Sequence, residues 1–323
     1  MKGLLLINLG SPDAPDVPSV RHYLREFLSD PFVIDINPVA RWLLVNTVIA
    51  PFRSPKSAKA YQKVWMKEGS PLVVYSENLT GKVQEKLGDY VVELGMRYGK
   101  PSIREAIEKL LMQGIDELVV FPLYPQYALS STETAVVEVN KVLGSRSRPA
   151  IPIKFIPPFY NHPAFIKAFA QRGREALQDF RPDHVLFSFH GLPKRHVIKA
   201  LPQDYRVQCA ATAGGIAKEL GLCTLPVPYS ISFQSRLGRT PWIEPFTDVV
   251  LSELPKKGIK KLAVFCPSFV ADCLETLEEI GIRGRETFQQ NGGEDLRLVP
   301  CPNDSPLWVE AIYKLVMGSG FLK

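Results

Sequence analysis

Apolar and polar positions alternate along this chain with two different periods. Short continuous apolar runs, Leu4–Leu9, Leu118–Phe121, Val185–Phe189 and Leu262–Phe265, each stop at a Gly or Pro. Between them lie stretches with apolar residues at helical spacing, such as "SIREAIEKLLMQG" (102–114), which closes on a glycine. Runs of this length without polar interruption suit strands buried on both faces, and their alternation with helical patterns predicts βαβ units. The expected fold is α/β, with parallel sheets flanked by helices.

The two halves repeat one another. "GIDELVVFP" (114–122) resembles "GIKKLAVFCP" (258–267), "STET" (131–134) resembles "CLET" (273–276), and "LINLGSP" (6–12) resembles "FSFHGLP" (187–193). We expect an N-terminal domain over 1–150 and a C-terminal domain over 151–323. Between corresponding glycines the first half is the longer (Gly10 to Gly114 against Gly191 to Gly258), and the surplus fits an insertion over residues 30–66. That insertion contains the most apolar long stretch, "PFVIDINPVARWLLVNTVIAPF" (31–52). Asp35, Asn37, Arg41 and Asn46 interrupt it, so it falls short of a spanning helix. Asn37 followed by Pro38 reads as an N-cap and first helical position. Two readings stand: an ordinary core helix, or an exposed apolar lip that touches a membrane or a flat hydrophobic ligand.

Composition narrows the class. The chain has 323 residues, 46% hydrophobic, and a net charge of +6 without a dense basic tract, so anionic ligands fit and nucleic acid does not. Five scattered cysteines (209, 223, 266, 273, 301), none in a CxxC pair, argue against a disulfide framework or a closed zinc site and point to a reducing cytoplasm. "MKGLLLINLGSPD" reads as a first buried strand and not as a secretory signal.

In open parallel sheets, ligands bind beyond the carboxyl ends of the strands. "LFSFHGLP" (186–193) puts His190 at such an end, with Gly191 freeing the turn. His22 and His196 lie in helical, exposed contexts, His162 in a loop, and His184 ahead of its strand. The matching segment of the second half, "FCPSFVADCLETLEEIGI" (265–282), carries Asp272, Glu275, Glu278 and Glu279 on a helix expected to start near Asp272. An Asp-x-x-Glu capping box accounts for the first two. Like charges a turn apart repel, and acids further along are not needed for capping. An imidazole facing such carboxylates can hold Fe²⁺ or Zn²⁺ and accept protons near neutrality. Trp242, Phe269, Tyr124, Tyr127 and the Arg97–Tyr98 pair supply an apolar wall of porphyrin size, although each aromatic taken singly suits a core better than a ligand wall.

Taken in order, "LLINLGSPDAP", "GMRYGKPSI", "FPLYPQYALSSTET", "LFSFHGLP", "SISFQSRLG", "TPWIEPFTD", "CPSFVADCLETLEEI" and "LVPCPND" resemble the ferrochelatase family along nearly the whole chain. The resemblance implies two Rossmann-like domains of the chelatase fold with a ligand cleft between them, and a lyase that inserts Fe²⁺ into protoporphyrin IX, bending the ring and releasing two protons. It implies His190 and Glu275 as catalytic and metal-binding residues, with Asp272 and Glu279 continuing an acidic path. It also implies Leu9, Arg53, Ser70, Arg97, Tyr98, Tyr124, Trp242 and Phe269 as porphyrin contacts, and the 30–66 insertion as a lip that touches membrane in some members.

Two positions depart from the family. Cys273 stands where many members have histidine. Leu129 and a C-terminus without cysteine replace the ligands of the [2Fe–2S] cluster found in some members, so no cofactor is expected and iron enters as substrate. The expected partners are protoporphyrin IX and ferrous iron, with no nucleic acid, as a monomer or homodimer. The expected location is the cytoplasm, or peripheral on the inner face of the membrane. A chelatase for coproporphyrin or another tetrapyrrole, and a non-catalytic porphyrin or haem carrier, remain as alternatives.

Overall fold

A computed structural model describes residues 1–145, 151–222, 227–238 and 240–318. The apolar runs become strands: β1 (Lys2–Gly10), β2 (Tyr90–Tyr98), β3 (Glu117–Pro122), β4 (Ile153–Phe155), β5 (His184–His190), β6 (Tyr229–Gln234), β7 (Lys261–Phe265) and β8 (Asp295–Leu298). They form two four-stranded sheets of identical order, β2-β1-β3-β4 and β6-β5-β7-β8, with every pairing parallel. Helices flank the sheets, which is the α/β architecture that the alternating pattern predicts. Leu4 to Ile7 in β1 and Val185 to Phe187 in β5 are wholly shielded from solvent. Each such side chain contributes about 1.5–3 kcal/mol of burial free energy, which explains why these strands lack a polar face.

The chain divides into two units. One comprises Met1–Tyr124, Leu129–Pro157 and the chain from Ile312 onward; the other comprises Pro125–Ala128 and Pro158–Ala311. The division differs from one at residue 150 for a clear reason. β4 pairs with β3, so Ile153–Phe155 belongs to the first sheet. The final helix, Pro306–Gly318, starts in the second unit, and its part from Ile312 belongs to the first, where Lys86 Nζ lies 5.3 Å from the Tyr313 ring centroid.

Local chemistry sets the element ends. Ser102 and Glu105 complete a capping box at the start of the helix Ile103–Met112. Gly10 closes β1 at φ +112°, where an added Cβ would lie 1.7 Å from Tyr98 O, so no other residue fits. In both units a tyrosine hydroxyl from a later helix satisfies a carbonyl at the end of the first strand: Tyr23 donates to Gly10 O (3.1 Å) and Tyr205 to His190 O (2.9 Å).

The 31–52 stretch is not a core helix. Asn37 Oδ1 accepts from Val39 N (2.9 Å) and caps the helix Pro38–Leu43 as expected. A wide i→i+5 turn, Leu44–Ile49, follows, with Ala50 N donating to Val45 O; it leads into the helix Ala50–Val64. Pro51 has no N–H to continue the regular ladder, consistent with the wider turn ahead of it. Val39, Trp42, Leu43, Val48 and Phe52 point to solvent, Phe52 at 79% exposure, while Val45 and Ala50 alone are buried among residues 38–53. No helix among the described residues is long and apolar enough to cross a membrane.

Candidate active site

β5 is central in its sheet, flanked by β6 and β7, so the chain reverses direction of progress between β5 and β7. The carboxyl ends at such a switch point form a natural ligand crevice. His190 is the last residue of β5, half-buried, and pairs in register with Gln234 of β6. Its main chain is held on both sides: N–H donates to Ser268 Oγ (3.1 Å) and C=O accepts from Tyr205 OH (2.9 Å). Its Nδ1 lies 2.7 Å from Gly191 O. A carbonyl only accepts, so Nδ1 carries the proton and Nε2 keeps its lone pair when the ring is neutral.

Gly191 is needed here for space. A Cβ at this position would lie 2.7 Å from Gln234 O and 3.3 Å from Trp242 Cε3. Trp242 is fixed by its indole N–H to Leu237 O (2.9 Å) and by bridge pairing with Pro193. The Phe269 ring stands edge-on to His190, with centroids 6.2 Å apart. Trp242 and Phe269 are both half-buried, leaving part of each ring exposed.

The acidic segment follows β7. Asp272 is buried, and its oxygens accept from Thr276 Oγ1 (2.9 Å), Asn303 Nδ2 (2.8 Å) and Cys301 N (3.2 Å). A carboxylate with these three donors anchors the start of the helix. The helix beyond it, Glu275–Gly284, is not α-helical; it has the wider i→i+5 form. The repeat partner "STET" adopts the same wide turn over Leu129–Glu133. Such turns recur at functional sites. Glu278 turns aside to Arg283 Nε (2.8 Å), leaving Glu275 and Glu279 as the acids of interest.

Glu279 accepts from Ser235 N (2.9 Å) and Ser235 Oγ (2.6 Å), while Ser235 sits at φ +66°, a costly backbone for a residue with a Cβ. Burial raises the Glu279 carboxyl above its ordinary value, and the neighbouring Glu275 charge adds to this; Ser235, Arg283 and His190 pull the other way. Glu279 is therefore within electrostatic reach of both Glu275 and His190. Gln234 ties the two sides together: its carbonyl accepts from Gly191 N (2.8 Å), its amide donates to Glu275 O (2.9 Å), and its Oε1 accepts from Ser188 Oγ (2.7 Å). Burial pushes the Cys273 thiol well up, as does the adjacent Glu275 charge. Cys209, Cys266, Cys273 and Cys301 are free and buried; Cys223 lies outside the described residues. Among the described residues, no group of three or more His, Cys, Asp and Glu side chains is placed to hold a metal.

In the first unit the expected contacts fare differently. Leu9, at the β1 position that matches His190, packs half-buried against the core. The Arg53 side chain is on an exposed helix surface, whereas the Ser70 hydroxyl is buried and bonded to Ser11 Oγ (2.6 Å). Tyr124 belongs to the core, and its hydroxyl has no hydrogen-bond partner among the described residues. Arg97 and Tyr98 are both bonded within the first unit. Arg97 Nη2 pairs with the buried Asp30 Oδ2 (2.5 Å), and Arg97 Nε donates to Thr134 Oγ1 (2.8 Å); Tyr98 OH donates to the same Asp30 oxygen (2.8 Å). His196, expected to be exposed, is buried.

Sequence reasoning missed Gln234, Ser235, Tyr205 and Ser268. Gln234 and Ser235 lie in "SISFQSRLG" at the end of β6, one strand from His190, and that adjacency was the available signal.

Two parallel units with this strand order define the chelatase fold. SirB from Bacillus subtilis, solved with Fe³⁺, superposes with a TM-score of 0.59 at 16% identity, covering 99% of this chain and 96% of that one. A sequence model of the ferrochelatase family matches residues 1–319. A ferrochelatase of Coxiella burnetii (strain CbuK_Q154) is 50% identical over 98% of this chain and 93% of its own length. One of Legionella pneumophila (strain Paris) is 47% identical over 98% of each. The chain belongs to the ferrochelatase family and is a lyase of haem biosynthesis that inserts a metal into a porphyrin.

Proposed function

We propose that this enzyme inserts Fe²⁺ into protoporphyrin IX, with His190 and Glu275 as the reacting side chains. The observation that carries the reading is the fixed tautomer of His190, whose Nε2 lone pair is left to accept a pyrrole proton or ligate iron. Two N–H bonds of the macrocycle break as two Fe–N bonds form with their electron pairs and two more form from the remaining nitrogens, so two protons leave per turnover. Glu275 strips water from the entering Fe²⁺ or takes up a proton. Glu279, whose raised carboxyl pKa lets it exchange protons closer to neutrality, passes them outward. Trp242 and Phe269, fixed beside His190 and partly exposed, supply apolar contacts for a flat ring. On the family's pattern Leu9 and Arg53 are assigned to the substrate, Arg53 as a cation for a propionate.

The choice of protoporphyrin over coproporphyrin rests on the lip, whose exposed side chains at 39, 42, 43, 48 and 52 are all apolar, as a ring with only two propionates requires. We further infer that the lip seats on an anionic membrane surface. From Asn37 to Met66 the chain has Arg41, Arg53, Lys56, Lys59 and Lys63 and no acid, beside the exposed apolar face.

Purified protein with protoporphyrin IX and Fe²⁺ under reducing conditions, followed by the Soret shift, tests the function. His190→Ala is expected to abolish insertion while porphyrin still binds, and Glu275→Gln to lower kcat by about 10²-fold or more. Near wild-type rates in both variants would remove the site. Stoichiometric binding without turnover in the wild type would support a carrier, and a higher kcat/KM for coproporphyrin would overturn the substrate.

A further inference from the structure

Tyr205 and Ser268 have no part in the chemistry above, yet their hydroxyls close a ring around the backbone of His190. His190 N–H donates to Ser268 Oγ (3.1 Å), Tyr205 OH approaches His190 O at 2.9 Å, and the two hydroxyl oxygens are 2.9 Å apart. Tyr205 is buried at 4% exposure at the start of the helix Tyr205–Glu219, and Ser268 is in the turn after β7, where Phe269 N bonds Cys266 O. Two separate elements therefore meet on the main chain of one residue of a third. The imidazole has no side-chain partner of its own on Nδ1; that nitrogen bonds Gly191 O, the carbonyl of the very next residue. Ring direction is thus set by the backbone at 190–191, and whatever fixes that backbone aims Nε2.

We infer that Tyr205 and Ser268 are positioning residues whose hydroxyls aim the His190 imidazole by clamping its main chain. The inference rests on His190 being the reactive imidazole. Gln234 supports the same loop from the other side through Gly191 N, so the clamp adjusts orientation without being needed to form β5. A displacement of about 1 Å at a reacting group costs on the order of 10²-fold in rate, so loss of one hydroxyl is expected to show chiefly in kcat.

The test uses the full-length enzyme with protoporphyrin IX and Fe²⁺. Tyr205→Phe and Ser268→Ala are each expected to lower kcat about tenfold, with KM for protoporphyrin within about twofold. The double variant loses less than the product of the two, because both hydroxyls serve one ring. Ser268→Thr, which keeps the hydroxyl, retains at least about half of wild-type kcat. Histidine side-chain ¹H–¹⁵N spectra, assigned with His190→Ala, are expected to show a single Nδ1–H tautomer in the wild type and a mixture in the double variant. The inference is overturned if Tyr205→Phe and Ser268→Ala keep wild-type kcat, if Ser268→Thr falls as far as Ser268→Ala, or if the tautomer is unchanged in the double variant. An active His190→Ala enzyme would instead overturn the site assignment itself.

Discussion

Arg97 offers the clearest separation between what the family resemblance implies and what the packing does. If it served a propionate, Arg97→Met would weaken porphyrin binding and leave the fold alone. The structure supports the reverse. The Arg97 side chain is 16% exposed and its partner Asp30 only 3%, so the pair is largely withdrawn from water. Asp30 also receives Tyr98 OH and Thr134 Oγ1 (2.6 Å) on Oδ2 and Phe32 N (2.7 Å) on Oδ1. Removing the guanidinium leaves a buried carboxylate held by neutral donors alone. Breaking one side of such a pair costs about 3–5 kcal/mol. At about 2–4 °C per kcal/mol for a domain of this size, the melting temperature should fall by roughly 6–20 °C. Thermal unfolding by circular dichroism measures this, and quenching of protoporphyrin fluorescence, titrated below both transitions, measures binding. We expect the large drop in melting temperature with Kd within about twofold. Asp30→Asn should be damaging to a similar degree, although a carboxylate at 30 could never have bound a propionate. An Arg97→Met protein that melts with the wild type and binds porphyrin tenfold more weakly would refute the scaffold role.

Two further outcomes follow from the same structure. Glu279 has a folded pKa raised above the ordinary 4.5, so its contribution to stability is present below that value and is lost as pH rises through the folded pKa. Glu279→Gln should therefore gain on the wild type in melting temperature as pH rises above the ordinary carboxylate range, and a difference that does not change with pH would contradict the assignment. Trp42→Asp with Phe52→Asp should abolish co-sedimentation with vesicles containing anionic lipid; undiminished sedimentation would exclude the lip as the contact.

Much of the candidate site was legible in linear order because its residues stand at punctuation marks. His190 ends an apolar run before a glycine, and Glu275 and Glu279 follow the equivalent run in the repeat. These positions are set by local rules: where a buried strand must stop, and where a helix must begin. Asp272 and Arg97 have structural partners that linear order does not show. A charged residue beside a motif looks available for chemistry until its partners are known, and those partners, Asn303 and Cys301 in one case and Asp30 in the other, are distant in sequence. The exposed lip was one of two open readings, since an apolar helix pattern does not say which surface it faces.

Sequence alone was enough to establish two α/β halves, their repeat, the insertion in the first and the family to which the chain belongs, because period and chain order carry all of these. Tertiary structure alone decided which polar groups are free. Whether a carboxylate or hydroxyl can act depends on which donors and acceptors surround it, and those arrive from strands and turns that only the folded sheet order brings together.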